Sequence, residues 1–136
     1  MTKPVPPVQK YMTALPHTIG QDQPLSVAER KMRDEKIRHL PVLDGGKLVG
    51  VITERDIQLV RGIRGFEPET AKVDDVMSEE PYAVEPGAPL DEVAEYMARK
   101  RLGSAVVMQN GKVVGIFTAV DALQAVSDLL RGRLRK

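Results

Sequence analysis

The feature that most constrains this chain is a long internal repeat. Val49-Gly50-Val51-Ile52-Thr53-Glu54-Arg55-Asp56 returns as Val114-Gly115-Ile116-Phe117-Thr118-Ala119-Val120-Asp121, 65 positions later. The same offset, without a gap, carries Met12, Pro16, Pro24, Leu25, Met32, Val42, Gly46 and Lys47 onto Met77, Pro81, Pro89, Leu90, Met97, Val107, Gly111 and Lys112. A repeat of this length is a complete folding unit rather than one turn of a solenoid. Two copies in 136 residues predict one body with pseudo-twofold symmetry and equivalent clefts. A copy of about 60 residues lies at the lower limit for an independent core, so the halves are expected to fold against each other.

Charge and composition narrow the function. The net charge is +1, and aromatic residues make up 4% of the chain. Neither a strong field nor a set of stacking platforms for nucleic acid is present, and a membrane surface has no basic face to attract. The end of the chain, Arg131 to Lys136, is locally basic. It reads as a solvated helix end whose cations suit the helix dipole, or as a docking tail for an acidic partner. The absence of cysteine excludes disulfides, thiol chemistry and Cys-type zinc sites. Met1 to Pro7 lacks the apolar core of a signal peptide, and no apolar run reaches the ~18–20 residues that span a bilayer. A soluble, cytoplasmic protein is expected.

The local pattern repeats a plan of strand, helix, strand, strand, helix. Val8–Met12 reads as a short helix or turn entering the first copy, and a short extended piece follows around Thr18 and Ile19. Leu25, Ala28 and Met32 give an amphipathic helix that starts at Pro24 and runs to about Lys36. Leu40–Leu43 and Leu48–Ile52 form a hairpin about Asp44-Gly45-Gly46-Lys47. Thr53 caps a helix through Asp56, Ile57 and Val60. Residues 61–72 read as a connection. The second copy repeats this with a helix over Leu90–Lys100, strands at Ala105–Met108 and Lys112–Phe117, and a final helix from Ala119. Leu123, Val126, Leu129 and Leu130 form an apolar stripe on that helix, for the core or for a second subunit. The class is α/β (α+β) with small mixed sheets.

No catalytic constellation is visible. The two histidines, His17 and His39, both lie in the first copy. No P-loop, G-x-G-x-x-G, nucleophile elbow or metal-ligand spacing is present. What remains is the twice-used Gly-h-h-Thr-x-x-Asp, where h is apolar. The glycine admits a close backbone approach. The threonine ends a strand and starts a helix, beside N–H groups that attract anions such as phosphate. One turn later the aspartate can accept from two vicinal hydroxyls, each charge-assisted bond contributing about 1.5–3 kcal/mol. The same residues also make a simple helix cap with an acidic first turn. Both readings stand on the motif alone.

The two Gly-h-h-Thr-x-x-Asp endings, with Tyr11-Met12 before Pro16, Val76-Met77 before Pro81, Arg38-His39-Leu40-Pro41-Val42 and Gly103-Ser104-Ala105-Val106-Val107, resemble the CBS domain. Over about residues 8–130 the chain resembles a tandem CBS pair, or Bateman module. The resemblance implies two pseudo-symmetric β-α-β-β-α repeats, 8–62 and 73–130, packed through their small sheets. Residues 63–72 would link them, and 131–136 would form a basic tail. It also implies clefts for adenine nucleotides or S-adenosylmethionine, and dimerisation. One cleft would use Thr53, Arg55 and Asp56 with Met77, Tyr82, Leu102, Gly103, Ser104 and Ala105. The other would use Thr118 and Asp121 with Met12, His17, Ile37, Arg38, His39 and Leu40. The aspartates would hold ribose hydroxyls. Backbone around Ile37–His39 and Leu102–Ser104 would meet the base edge, and Arg38, His39 and Arg55 would serve phosphate. Tyr82 could stack on a base or pack on its strand. Met12 and Met77 read as core plugs or ligand contacts.

The clefts are expected to differ, because Arg38-His39 becomes Gly103-Ser104 and Arg55 becomes Val120. The leading expectation is a non-enzymatic regulatory module that binds a nucleotide of the AMP, ADP or ATP class, with no catalytic cofactor. It would form a homodimer through the last and first helices and signal to an unknown effector protein by conformational change. The alternatives are an S-adenosylmethionine binder, or a constitutive interaction scaffold with vestigial clefts.

Overall fold

The structure is a computed structural model that describes residues 4–132. In chain order its elements are a 3-10 turn at Val8–Lys10, β1 (Thr13–Ala14), β2 (Ile19–Gly20), α1 (Leu25–Glu35), β3 (His39–Asp44), β4 (Lys47–Thr53), α2 (Glu54–Arg61), a 3-10 turn at Val73–Asp75, β5 (Ala83–Val84), α3 (Leu90–Lys100), β6 (Ser104–Gln109), β7 (Lys112–Thr118) and α4 (Ala119–Leu130). Each repeat therefore runs strand, helix, hairpin, helix, and the class is mixed α/β with two small sheets. Of the basic tail, Arg131 ends α4, its N–H bonding the Ser127 carbonyl at 3.1 Å. Residues 133–136 lie outside the described residues.

The chain divides into two compact units. One is continuous, His17–Pro81; the other is split, joining the chain up to Pro16 with the chain from Tyr82 onward. These bounds differ from the repeat bounds of 8–62 and 73–130, because the segment leading into each repeat packs with the strands of the other.

In the continuous unit the sheet order is β2-β3-β4, with β2 parallel to β3 and β4 antiparallel to it. Leu25, Ala28 and Met32 recur at helical spacing and turn one face of α1 onto this sheet, where Leu25, Leu40, Val42 and Ile52 are fully buried. Each such aliphatic side chain contributes about 1.5–3 kcal/mol by leaving water. Pro24 precedes α1 and offers no side-chain cap. The connection after α2 supplies what the cap lacks. Leu25 N–H donates to the Ala71 carbonyl at 2.8 Å and Ser26 N–H to the Pro68 carbonyl at 3.0 Å, pairing first-turn donors that a helix leaves orphaned. Val73 is fully buried in the same core, and Ser78 bridges antiparallel to Val51.

The split unit repeats this plan in the order β1-β7-β6-β5. Here the N-terminal segment takes the part that residues 68–78 play above. Leu90 N–H, at the start of α3, donates to the Pro6 carbonyl at 3.0 Å, and Val8 N–H donates to the Ala88 carbonyl at 2.8 Å. Val8 and Tyr11 are buried with Val93, Met97, Ala105, Val107 and Phe117. Thr13 and Ala14 then pair antiparallel with Ile116 and Gly115. Both helices α1 and α3 stop on a residue in the left-handed region, Lys36 at φ 55° and Arg101 at φ 57°.

Candidate functional site

The Thr-x-x-Asp motif has the same geometry in both units. Thr53 and Thr118 end β4 and β7 in extended backbone and stand as the N-caps of α2 and α4. Thr53 N–H donates to Asp56 Oδ2 at 2.9 Å, and Asp56 N–H returns to Thr53 Oγ1 at 3.1 Å. In the second copy Thr118 N–H donates to Asp121 Oδ2 at 2.9 Å, and Asp121 N–H returns to Thr118 Oγ1 at 3.4 Å. The Thr118 hydroxyl also donates to Asp121 Oδ2, at 3.2 Å. The motif is thus a reciprocal capping box twice over. Among the described residues these bonds fall on one carboxylate oxygen, Oδ2, so the box holds each carboxylate by a single oxygen.

The cap leaves less room for an anion than the motif alone predicts. Glu54 N–H donates to the Arg38 carbonyl at 2.9 Å, and Ala119 N–H to the Gly103 carbonyl at 3.1 Å. With the third donor of each helix engaged by threonine, the Arg55 and Val120 N–H groups are the first-turn donors outside these bonds. Phosphate binding at this end would therefore lean on side chains, and Arg38 and Arg55 are both exposed.

The glycine of the motif admits a close backbone approach at Gly50, as the sequence predicts, and a close side-chain approach at Gly115. A Cβ on Gly50 would lie 2.6 Å from the Ser78 carbonyl oxygen and 2.7 Å from Met77 Sδ. A Cβ on Gly115 would lie 3.0 Å from both Cε and Cγ of Met12, and closer still to its Sδ. What approaches each glycine is the methionine of a lead-in, with Ser78 backbone in one case. Met12 and Met77 pack against the hydrophobic cores as plugs.

The remaining candidates divide between the units. In the continuous unit His39 lies opposite Thr53 in the β3–β4 register, bringing Arg38, His39 and Leu40 beside Thr53 and Asp56. In the split unit Ser104 lies opposite Thr118, bringing Gly103, Ser104 and Ala105 beside Thr118 and Asp121. Leu40 and Ala105 are fully buried, so their side chains belong to the core. The N–H groups of Ile37 and Leu102 are bonded to the Met32 and Met97 carbonyls at 3.0 and 2.8 Å, which is part of each helix ending. His17 Nε2 lies 3.1 Å from Glu35 Oε2.

Tyr82 stacks on Tyr96, ring centroids 4.2 Å apart and planes inclined by 27°, and the Arg99 guanidinium sits 5.6 Å from the Tyr96 centroid. Packing thus covers one face of the Tyr82 ring. Burial, then the neighbouring Tyr96 and Glu92, hold its phenol above the ordinary value of 10.0. Tyr96 carried no signal in the repeat, because its counterpart at the same offset is Lys31, which donates to the Thr18 carbonyl at 2.8 Å. Among the described residues no group of three or more His, Asp or Glu side chains could hold a metal ion. None of their helices is long and apolar enough to cross a membrane.

Comparison with known proteins places this geometry. The CBS domain family matches residues 1–60 and 73–128. The uncharacterized protein YlbB of Bacillus subtilis is 38% identical over 118 residues, covering 78% of this chain and 79% of that protein. The crystal structure of an uncharacterized conserved protein from Pyrococcus horikoshii aligns with a TM-score of 0.81 at 29% identity, covering 99% of each chain. The CBS domain pair of protein MJ0100, solved in complex with 5′-methylthioadenosine and S-adenosyl-L-methionine, aligns with a TM-score of 0.78 at 26% identity, covering 88% of this chain and 98% of that one.

Proposed function

Since the chain belongs to the CBS domain family, with one domain in each repeat, we propose that it is a regulatory module that binds an adenosyl ligand and carries no catalysis of its own. The observation that supports this most is the pair of preset carboxylates. Asp56 and Asp121 are each held at 2.9 Å by the N–H of their own cap threonine. A ribose diol donates two O–H groups, and a carboxylate that takes one N–H from its cap keeps acceptor sites for them. A carboxylate preorganised by the fold gives up less side-chain entropy when the ligand arrives.

Adenine nucleotides of the AMP, ADP and ATP class are the proposed ligands. Arg38 and Arg55 are exposed beside the first motif, and a guanidinium suits phosphate. The cross-repeat partnerships of Thr53, Arg55 and Asp56 with Tyr82 and Leu102–Ala105, and of Thr118 and Asp121 with His17 and Ile37–Leu40, belong to this proposal. So do a cytoplasmic location, homodimerisation and control of an effector protein. The ligand would act by binding two conformations with different affinity. S-adenosylmethionine is a second reading, favoured by the ligands of the MJ0100 pair and by the uncharged Gly103, Ser104 and Val120 of the second motif.

Calorimetric titration with AMP, ADP, ATP and S-adenosylmethionine tests this, using the wild type, Asp56→Asn and Asp121→Asn. Asparagine keeps an oxygen for the threonine N–H, so the cap persists while the charge is lost. Micromolar binding, about −8 kcal/mol, that disappears in either variant is the expected result. No heat with any ligand, from protein shown to be ligand-free, would replace the sensor with a constitutive scaffold.

A further inference from the structure

Sulfur in this chain is thioether only: there are six methionines and no cysteine. Four of the methionines form two repeat-equivalent pairs. Met32 and Met97 lie in α1 and α3 and are 4% and 5% exposed. Met12 and Met77 lie in the lead-ins, half-buried against the two cores. In each lead-in the sulfur is the side-chain atom nearest the place a Cβ would take on the motif glycine, Met77 over Gly50 and Met12 over Gly115. The space that a side chain on the glycine would fill is occupied by the sulfur. That sulfur is polarizable and nucleophilic, and a half-buried side chain leaves a small oxidant a path to it.

The backbone donors that flank each seat are engaged. Beside Gly50, Val51 N–H donates to the Ser78 carbonyl at 3.1 Å and Ser78 N–H to the Val51 carbonyl at 2.9 Å, while Met77 N–H donates to the Val73 carbonyl at 3.0 Å. Beside Gly115, Met12 N–H donates to the Val8 carbonyl and Leu15 N–H to the Val114 carbonyl, both at 3.0 Å. An oxygen added to either sulfur is a strong acceptor set among apolar side chains, and burying it unpaired is unfavourable. It also needs volume where the sulfur already meets strand backbone. An oxidised side chain therefore has to leave its seat, and the lead-in goes with it. In the continuous unit that separates Ser78 from Val51. In the split unit it separates Thr13 and Ala14 from Ile116 and Gly115.

We propose that Met12 and Met77 are sites of reversible oxidation, at which a peroxide converts the thioether to a sulfoxide and unseats the lead-in. The sulfur attacks one peroxide oxygen, the O–O bond breaks and an S–O bond forms. Sulfur gives up two electrons, and with hydrogen peroxide the departing oxygen takes the protons and leaves as water. A sulfoxide reductase reverses the step: two thiols supply the electrons and become a disulfide, and the oxygen again leaves as water. Each seat lies on the strand that ends in a cap threonine, with Gly50 and Gly115 three residues before Thr53 and Thr118. Release of the lead-in thus reaches the Thr-x-x-Asp box, which makes oxidation an input separate from any bound ligand. The oxidation sites themselves do not depend on the nucleotide reading.

The test uses the whole chain without ligand. Hydrogen peroxide is added to the folded protein, and peptide mass spectrometry follows each methionine in time. Met12 and Met77 should oxidise at least about tenfold faster than the buried Met32 and Met97. Once both are sulfoxides the urea midpoint should fall by about 1 M. Methionine sulfoxide reductases for both epimers, with a dithiol, should restore it. Amide exchange at Val51 and Ser78 should quicken at least about tenfold in the oxidised protein. The double variant Met12→Leu/Met77→Leu removes the thioethers and keeps apolar volume, so peroxide should leave its midpoint unchanged. Met108→Leu should respond as the wild type does. Equal oxidation rates at Met12, Met77, Met32 and Met97 overturn the proposal, as does a midpoint that stays put when Met12 and Met77 are sulfoxides. So does a shift that survives in the double variant or vanishes in Met108→Leu. If the double variant does not fold, the rates, the exchange and the reversal in the wild type decide.

Discussion

The two motif glycines look interchangeable in sequence, and the structure predicts that they are not. Both lie in strands outside the left-handed region, so alanine is conformationally allowed and by itself stabilises by about 0.4–1 kcal/mol through the unfolded chain. Overpacking opposes that gain by about 1–3 kcal/mol. At Gly115 the new methyl group meets the Met12 side chain, which is unbranched and can change rotamer. The net cost should be about 0–1.5 kcal/mol. At Gly50 it also meets the Ser78 carbonyl oxygen at 2.6 Å. That carbonyl accepts from Val51 N–H at 3.1 Å, while Ser78 N–H donates to the Val51 carbonyl at 2.9 Å. Displacing Ser78 weakens both bonds, each contributing about 1 kcal/mol, so Gly50→Ala should cost about 2–4 kcal/mol. Urea unfolding followed by far-UV circular dichroism measures both. Double-mutant cycles locate the cause: Met12→Ala should relieve most of the Gly115→Ala cost, and Met77→Ala only part of the Gly50→Ala cost. Equal costs within about 0.5 kcal/mol, or no coupling between Gly115 and Met12, would refute the reasoning.

Other perturbations separate fold from ligand. Asp56→Ala and Asp121→Ala each remove a capping box and should lower stability by about 0.5–2 kcal/mol, with the asparagine variants recovering most of it; urea midpoints decide. Tyr82 keeps its proton in the folded state past the ordinary value of 10.0. Its contribution is fully present below about pH 10 and is lost as pH rises through the folded pKa. Tyr82→Phe should therefore flatten the fall in stability above that pH, and an unchanged slope in urea titrations across alkaline pH would exclude the effect. Lys36→Gly and Arg101→Gly place glycine where the backbone is already left-handed, and should leave thermal stability unchanged or raise it by up to about 1 kcal/mol.

What the sequence showed of this fold was local. Pro24 and Pro89 before apolar helical spacing, Asn110-Gly111 between two apolar runs, and Thr53 or Thr118 followed by aspartate each act within a few residues, and each formed the expected element. The lead-ins could not be assigned in this way. Met12 and Met77 stand at the same spacing from Gly50 and Gly115 as any two repeat partners would, so the repeat does not distinguish a methionine seated on its own glycine from one seated on the other copy's. The structure seats Met77 on Gly50 and Met12 on Gly115. The candidate site divides similarly. Its carboxylates were visible because a cap is a contact between residues three apart. The Tyr82–Tyr96 stack was not, because nothing in a linear pattern marks two rings that meet only after β5 and α3 are in place. The apolar stripe on α4 was visible, but its direction depended on Ala125 filling the core, which leaves Leu123, Val126 and Leu130 exposed.

The exchanged lead-in also sets an order on synthesis. Everything in the continuous unit lies between His17 and Pro81, so that unit is complete in the emerging chain before α3 has left the ribosome. The split unit has to wait. Val8 and Thr13 are made well before their partners, Ala88 and Ile116. During that interval the N-terminal strand has an unpaired edge and Val8 and Tyr11 have no core to enter, a state open to pairing with a neighbouring nascent chain. A fragment cut between the repeats would keep that state permanently: it would carry a lead-in without its sheet and a β4 edge without Ser78.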